Sequence, residues 1–197
     1  MSNLRLTSDK LIRSALKKQL EKRYREDPDA KIIEELGLAH GAARVDIAVV
    51  NGVLHGYELK SDLDTLYRLP EQMRIYNSVF DRITLVVGKS HLHEAIKLIP
   101  DWWGITIAKS INTAGEINFS NIRATEDNPL RSSMAIASLL WREEALNILE
   151  QLNKARGVRS KTRTVIYERL VEVLDQETLR NEVRRYLRAR VNWRSGL

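Results

Sequence analysis

Three charged side chains lie in a stretch of the sequence that otherwise reads as two hydrophobic strands. Asp46 falls inside the apolar run Val45–Val50, and Glu58 and Lys60 close a second run that begins at Leu54. Residues two apart on a strand project from the same face, so Glu58 and Lys60 are expected to share one. Carboxylates and an ammonium are costly on a hydrophobic sheet unless a cation or a substrate uses them. The pattern therefore predicts a metal-dependent site for phosphodiester hydrolysis.

Each of these residue types suits a step of that reaction. Hydrolysis needs an activated water and stabilisation of negative charge, which one or two Mg²⁺ or Mn²⁺ ions held by carboxylates can supply. Asp46 and Glu58 are suitable oxygen ligands, and the backbone carbonyl of Leu59 is a third candidate. Lys60 would orient or deprotonate the water, or neutralise developing charge. The structural alternative is an exposed cross-strand salt bridge.

The elements around these residues form an α/β pattern. The dipeptide Asn51-Gly52 is typical of a tight hairpin and would pair the two strands that carry the acids. The remaining periodicities predict the order α-β-β-β-α-β-α-β, a mixed sheet with helices on both faces. The predicted helices are Ser8–Arg25, Asp64 or Thr65 to Val79, and His91–Leu98, and the predicted strands are Lys31–Leu38, Val45–Val50, Leu54–Leu59, Ile83–Val87 and Ile105–Ala108.

The last third of the chain has a different character. Periodicity fades over 112–128, and Asn128-Pro129 predicts a boundary between segments 1–128 and 129–197. Beyond it every segment is predicted to be helical, over Ser132–Leu152, Lys161–Leu174 and Gln176–Arg190. Residues 130–197 hold 14 Lys and Arg against 8 Asp and Glu, which accounts for the whole net charge of +6. This helical subdomain therefore predicts a polyanion partner, most simply nucleic acid, with a solvated basic surface as the alternative.

Composition removes several classes of protein. The chain of 197 residues has no cysteine, which excludes disulfides and thiolate metal sites. No apolar run approaches the roughly 20 residues of a transmembrane helix, so no membrane partner is expected. The first ten residues lack the apolar segment of a signal peptide, which predicts a cytoplasmic protein.

The spacing of the charged residues resembles that of a known superfamily. Asp46, eleven residues, and then Glu58-Leu59-Lys60 are similar to the motif of the PD-(D/E)XK nucleases, whose restriction-endonuclease-like core has the order α-β-β-β-α-β. The resemblance implies that Asp46, Glu58 and the Leu59 carbonyl bind Mg²⁺ or Mn²⁺ and that Lys60 is catalytic. Val45 stands where the superfamily usually has proline.

Further residues extend the resemblance. Gln72 and Tyr76 lie four apart on the next predicted helix, hence on one face. They are similar to the QxxxY motif of the RecB-type and phage-exonuclease branch, where the pair helps to position metal-bound water and DNA. The additional upstream acid usual in the superfamily corresponds to Glu35, with Glu34 as the alternative. Most of the chain, including the basic tail, also resembles a small bacterial family of poorly characterised PD-(D/E)XK-like proteins.

The sequence thus predicts a metal-dependent DNA nuclease whose helical tail holds the nucleic-acid backbone. The alternatives are a non-cleaving nucleic-acid-binding adaptor or regulator on the same fold, and an RNA nuclease. The predicted backbone contacts are Arg68, Lys154, Arg156, Arg159, Lys161 and Arg163. Arg184, Arg185, Arg188 and Arg190 of the last helix would extend the same surface.

Overall fold

The computed structural model describes residues 6–191, so the outer ends of the two predicted segments, 1–5 and 192–197, lie outside it. The helices are Asp9–Arg23 (α1), Leu69–Val79 (α2), Leu92–Leu98 (α3), Ser133–Ala137 (α4), Arg142–Gln151 (α5), Arg163–Val173 (α6) and Gln176–Ala189 (α7). The strands are Lys31–Leu38 (β1), Ala43–Asn51 (β2), Val53–Lys60 (β3), Arg82–Gly88 (β4), Gly104–Ser110 (β5) and Ile117–Arg123 (β6). Short 3₁₀ turns cover Ala39–Gly41 and Lys89–His91.

The six strands form one mixed sheet in sequence order, β1 to β6. The pairs β1–β2, β2–β3 and β5–β6 are antiparallel. The pairs β3–β4 and β4–β5 are parallel, because α2 and α3 form the crossovers that parallel neighbours require. The predicted mixed α/β sheet flanked by helices is therefore confirmed. Among residues 6–191, no helix is both long enough and apolar enough to cross a bilayer.

Hydrophobic cores form on both faces of the sheet. On one face α1 buries Ile12, Leu16 and Leu20, which recur at helical spacing, against β2 and β3. On the other face α2 packs in a larger core that it shares with all four C-terminal helices. Segment 129–197 therefore packs directly on the sheet, and the boundary at Asn128-Pro129 stays a prediction about domain organisation.

A buried ionic cluster joins the C-terminal helices to the sheet. Asp81 is only 3% exposed and accepts a hydrogen bond of 2.7 Å from the backbone N–H of Leu54 in β3. Its carboxylate also pairs with Arg180 at 2.7 Å, Arg184 at 3.1 Å and Arg131 at 3.6 Å. One carboxylate thus holds three guanidinium groups from the C-terminal segment. Nothing in the local sequence pattern predicted this cluster.

One strand was missed, and two predicted helices had wrong bounds. Strand β6 lies in the stretch that was predicted to be irregular, since its Asn and Ser residues have low strand propensity and it pairs only at the edge of the sheet. The predicted helix Ser132–Leu152 is two helices, because Trp141 is extended and begins α5 with its N–H bonded to Glu144. Helix α2 begins at Leu69 and not at the predicted Asp64 or Thr65. Pro70 lies in its first turn, where proline is tolerated.

Candidate active site

All the predicted catalytic and metal-binding residues except Tyr76 line a cleft of about 1040 Å³ between the sheet and the helices. Its position follows from the separation of β2 and β3, whose pairing ends at Ile47 and Tyr57. Beyond that point the Asp46 carboxylate accepts a hydrogen bond of 2.8 Å from the backbone N–H of Leu59. The separation therefore leaves room for a carboxylate between the two strands. The predicted residues that line the cleft are Glu35, Asp46, Glu58, Leu59, Lys60, Arg68, Gln72 and Arg163.

Glu58 is the centre of the polar network in this cleft. It is 1% exposed, and its Oε1 accepts hydrogen bonds from Lys60 Nζ at 2.5 Å and from Gln72 Nε2 at 2.8 Å. Its Oε2 lies 2.8 Å from the hydroxyl of Tyr76, which is buried behind the cleft. Lys60 also donates to Gln72 Oε1 at 3.2 Å. Side chains from β3 and from α2, predicted separately, therefore meet at one carboxylate.

Burial and like charge set the protonation of the two acids. Burial, together with the nearby Asp46 carboxylate, raises the pKa of Glu58 from 4.5 to about 7, although Lys60 opposes the shift. Burial also raises the pKa of Asp46. The Tyr76 hydroxyl lies 2.8 Å from the Arg44 carbonyl oxygen as well as from Glu58. One hydroxyl hydrogen cannot serve two acceptors, so a proton on Glu58 would satisfy both contacts.

Arg13 of α1 is a member of the site that the sequence analysis missed. Its guanidinium lies 2.6 Å from Asp46 Oδ1 and 3.1 Å from the Asp46 carbonyl oxygen. A second carboxylate, Asp9, lies 3.0 Å away on the same helix. Burial lowers the pKa of Arg13, but the hydrogen bonds that it donates to Asp9 and Asp46, together with the charges of these acids, outweigh burial and raise it. The sequence shows Arg13 only as a polar position on an amphipathic helix, and its partner lies 33 residues away.

The structure separates the two candidate upstream acids. Glu34 forms an ion pair with Lys17 of α1. Glu35 and Asp46 both fall in the gap of the β1–β2 ladder between the pairs Glu34–Ile47 and Leu36–Val45. Glu35 lines the cleft and pairs with Arg44 at 3.0 Å. Among residues 6–191, however, no three Asp, Glu or His side chains gather as a metal site would require. Glu35 is thus the acid on the cleft side, and its role as a metal ligand stays a prediction.

The backbone at Glu35 is strained, and this leads to a stability prediction. Its φ of 55° lies in the left-handed region, which costs a non-glycine residue roughly 1–2 kcal/mol. We expect Glu35→Gly to raise the free energy of unfolding by up to about 1 kcal/mol, since glycine adopts this φ without strain.

The neighbouring position provides the matched control. Glu34 has ordinary strand geometry and an ion pair with Lys17, so Glu34→Gly should lower the free energy of unfolding by about 1 kcal/mol. Urea unfolding of both variants measures the difference. Equal destabilisation by the two substitutions would show that Glu35 is not strained.

The predicted backbone-contact residues fall into two groups. Arg68 and Arg163 are exposed and line the cleft. The other four are also exposed, but they lie on the connection between α5 and α6, outside the cleft lining: Lys154, Arg156, Arg159 and Lys161. Arg159 additionally pairs with Glu150 at 3.0 Å. Two of the six predicted basic side chains therefore line the cleft.

The extension of this basic surface along α7 was wrong for the buried Arg184 and Arg190, and it stays a prediction for Arg185 and Arg188. Arg184 is buried and pairs with Asp81, and Arg190 is buried against Glu144. Arg185 pairs with Glu182 at 2.5 Å, and Arg188 pairs with Asp29 at 3.3 Å. These arginines serve contacts within the protein, which composition alone cannot distinguish from contacts with a polyanion.

The fold and the cleft define a mixed α/β protein with an acid–lysine site where two central strands separate. The chain belongs to the family of bacteriophage P4 protein cII, whose family profile matches residues 4–196. It is 27% identical over 159 residues to Protein cII of Enterobacteria phage P4, covering 81% of this chain and 57% of that protein. The chain therefore spans little more than half the length of this relative.

Among solved structures, a protein of unknown function from Silicibacter pomeroyi matches 76% of this chain and 96% of its own. The two are 19% identical, with a TM-score of 0.43. None of these relatives carries a name that states an activity, so the assignment of function depends on the geometry of the cleft.

Proposed function

We propose that this protein is a metal-dependent nuclease that hydrolyses phosphodiester bonds in DNA, on a restriction-endonuclease-like fold. The observation that carries the proposal is the meeting of Glu58, Lys60, Gln72 and Tyr76 in one hydrogen-bonded network beside Asp46. Buried acids with a raised pKa that lie beside a second acid in an open cleft occur preferentially at active sites.

The order of the elements supports the same fold. Helix α1, strands β1 to β3, helix α2 and strand β4 follow one another as α-β-β-β-α-β. The first three strands are antiparallel and β4 runs parallel to β3. This arrangement places both acids near the carboxyl end of β3, beside the start of α2.

The donor set fits Mg²⁺ or Mn²⁺. Both cations prefer oxygen ligands, and Mg²⁺ is often held by only one or two carboxylates with waters and substrate phosphates. Asp46 and Glu58 supply the carboxylates. Leu59 lines the cleft, and its N–H points to Asp46, so its carbonyl faces the same side of the strand. Burial and, after it, the charge of Asp46 raise the pKa of Glu58, and a bound divalent cation would offset the repulsion between the two acids.

The remaining residues have roles that follow from their contacts. When bound, Mg²⁺ or Mn²⁺ would supply Lewis-acid polarisation of the phosphate and a more acidic water. Lys60 is held by Glu58 and Gln72, so its ammonium is positioned to orient the attacking water or neutralise charge on the phosphate. Tyr76 fixes the opposite oxygen of Glu58, and Arg13 fixes the orientation of Asp46.

The cations at the cleft support a nucleic-acid substrate. Arg68 lies on the loop between β3 and α2, and Arg163 begins α6 on the other side of the cleft. Phosphate contacts of this kind hold a backbone in register without reading its sequence. Because the exposed lysines and arginines of residues 154–161 precede α6, a strand leaving the cleft on that side would meet further positive charge.

Asp46→Ala tests the proposal. The wild-type protein should cleave labelled DNA with Mg²⁺ or Mn²⁺ and stop when EDTA is added. Asp46→Ala should cleave at least about 10³-fold more slowly, because one of the two central carboxylate ligands is lost. RNA of the same sequence, assayed in parallel, separates the DNA nuclease from the RNA nuclease. Wild-type rates from Asp46→Ala would contradict the assignment.

One observation favours a second candidate, a nucleic-acid-binding protein that does not cleave. The carboxylates are already compensated inside the protein, Asp46 by Arg13 and Glu58 by Lys60. Salt-sensitive DNA binding without cleavage in Mg²⁺ or Mn²⁺, on single-stranded, duplex and branched substrates, would favour this candidate over the nuclease.

A further inference from the structure

One loop at the cleft exposes two large side chains with apolar surface. The loop 61–68 joins β3, which carries Glu58 and Lys60, to α2, which carries Gln72. On it Tyr67 is 90% exposed and Leu63 is 64% exposed. A large aromatic ring left in solvent beside a functional cleft indicates a binding surface.

This loop is held in place by its own hydrogen bonds. Asp64 accepts hydrogen bonds from the backbone and the side chain of Ser61, at 2.7 and 2.6 Å. Asp62 accepts hydrogen bonds from Thr7 and from Ser90, at 2.7 to 3.0 Å. The loop is therefore organised before any ligand binds, and the exposure of Tyr67 does not come from an unstructured segment.

Tyr67 stands between two residues that line the cleft, Thr65 and Arg68. Tyr67 therefore belongs to the rim of the cleft, and it directly precedes Arg68 in the chain, whose exposed guanidinium can hold a phosphate. On the helical side of the cleft, Trp141 also lines the cleft and is 43% exposed. The guanidinium of Arg190 lies 4.3 Å from the centre of its ring. Each side of the cleft thus carries an exposed aromatic ring, and exposed arginines, Arg68 and Arg163, line the cleft between them.

Aromatic rings beside arginines suit one ligand chemistry well. Proteins that bind single-stranded nucleic acid hold the phosphates with cations and stack the bases on aromatic side chains. In a duplex the base faces are already stacked on one another, so exposed rings at a cleft find no free base to stack on and add little to the binding of a duplex. We infer that Tyr67 and Trp141 are stacking positions for unpaired bases, and that the cleft takes DNA with single-stranded character. This inference rests on the proposed function and names its substrate class.

The test is binding in EDTA, so that no cleavage interferes. The probes are a fluorescein-labelled DNA strand of mixed sequence, the same strand with abasic sites in its central part, and the blunt duplex, measured by fluorescence anisotropy. The wild-type protein should bind the mixed-sequence strand about tenfold more tightly than the abasic strand, which has the same phosphates but fewer bases.

Tyr67→Ala should lose about tenfold in affinity for the mixed-sequence strand and little for the abasic strand. Tyr67→Phe keeps the ring and should bind like the wild type. Ile122→Ala, which removes an exposed side chain on β6 at the far edge of the sheet, is the matched control and should also bind like the wild type. Quenching of a 2-aminopurine placed in the strand should fall in Tyr67→Ala alone.

The other outcomes separate the two proposals. Unchanged affinity in Tyr67→Ala would overturn the stacking inference, and so would equal losses of affinity for the mixed-sequence and abasic strands. In that case the exposed ring would belong to a protein-binding surface. The nuclease proposal would still be supported if the wild-type protein cleaves DNA with a metal ion. Failure of the wild-type protein to bind any of the three probes would overturn the inference, and absence of cleavage in the separate assay would overturn the proposed function.

Discussion

Glu58→Gln is expected to abolish metal-dependent cleavage, with a loss of at least about 10³-fold. The substitution keeps the shape of the side chain but removes the negative charge that would hold the cation. The amide of glutamine still offers one acceptor oxygen to Lys60 and Gln72, so the loss reports the missing charge. Cleavage of labelled DNA in Mn²⁺ measures the loss. Glu126→Gln, at an exposed acid outside the cleft lining, is the matched control and should cleave like the wild type.

The same variant tests the electrostatics of the site through protein stability, with no measurement of activity. The folded-state pKa of Glu58 is raised from 4.5 to about 7, so between these values the folded protein keeps a proton that the unfolded chain has lost. The contribution of Glu58 to stability is therefore greatest below pH 4.5 and falls as pH rises towards 7, by an amount on the order of 2–3 kcal/mol. In EDTA, Glu58→Gln should gain stability relative to the wild type across this window. A constant difference between the two proteins would contradict the raised pKa.

Asp81→Ala is expected to lower the free energy of unfolding by about 3–5 kcal/mol. The substitution leaves Arg131, Arg180 and Arg184 facing one another without their shared carboxylate and leaves the Leu54 N–H without its acceptor. A loss of this size is a large part of the total stability of a typical domain. Urea unfolding measures it, and the C-terminal helices should show the loss because the cluster joins them to the sheet.

Asp127→Ala is the matched control for Asp81. Asp127 also pairs with an arginine, Arg82 at 2.8 Å, but its side chain is 67% exposed. Exposed ion pairs contribute about 1 kcal/mol at most, so this variant should unfold nearly like the wild type. Equal stabilities for the Asp81 and Asp127 variants would show that the buried cluster does not hold the helices to the sheet.

Much of the sheet could be predicted from the sequence, because its central strands have strong patterns. Ile83–Val87 is a continuous apolar run, as expected of a strand buried on both faces, and it lies within β4. The hairpin turn at Asn51-Gly52 joins β2 to β3 as predicted, and Gly52 adopts a φ of 59°. Strand β6 could not be predicted in this way, since none of its seven residues is fully buried and its Asn and Ser residues interrupt the apolar positions.

The candidate site was predictable only where short-range spacing determines geometry. The period of two along β3 puts Glu58 and Lys60 on one face of the strand, and the spacing of four along α2 puts Gln72 and Tyr76 on one face of the helix. Each pair is hydrogen-bonded. Arg13 was missed because its contact with Asp46 depends on how α1 packs on the sheet. The choice between Glu34 and Glu35 likewise depended on the left-handed φ of Glu35, which no sequence pattern indicated.

The central claim is that Asp46 and Glu58 together bind a divalent cation at this cleft. Calorimetric titration of Mn²⁺ into the wild-type protein, Asp46→Ala and Glu58→Gln tests it most directly, first alone and then with a DNA strand whose phosphorothioate linkages resist hydrolysis. We expect the wild type to bind Mn²⁺, with DNA strengthening the binding through its phosphates, and both variants to lose it. Absence of Mn²⁺ binding to the wild type with DNA present, or equal binding by all three proteins, would contradict the claim.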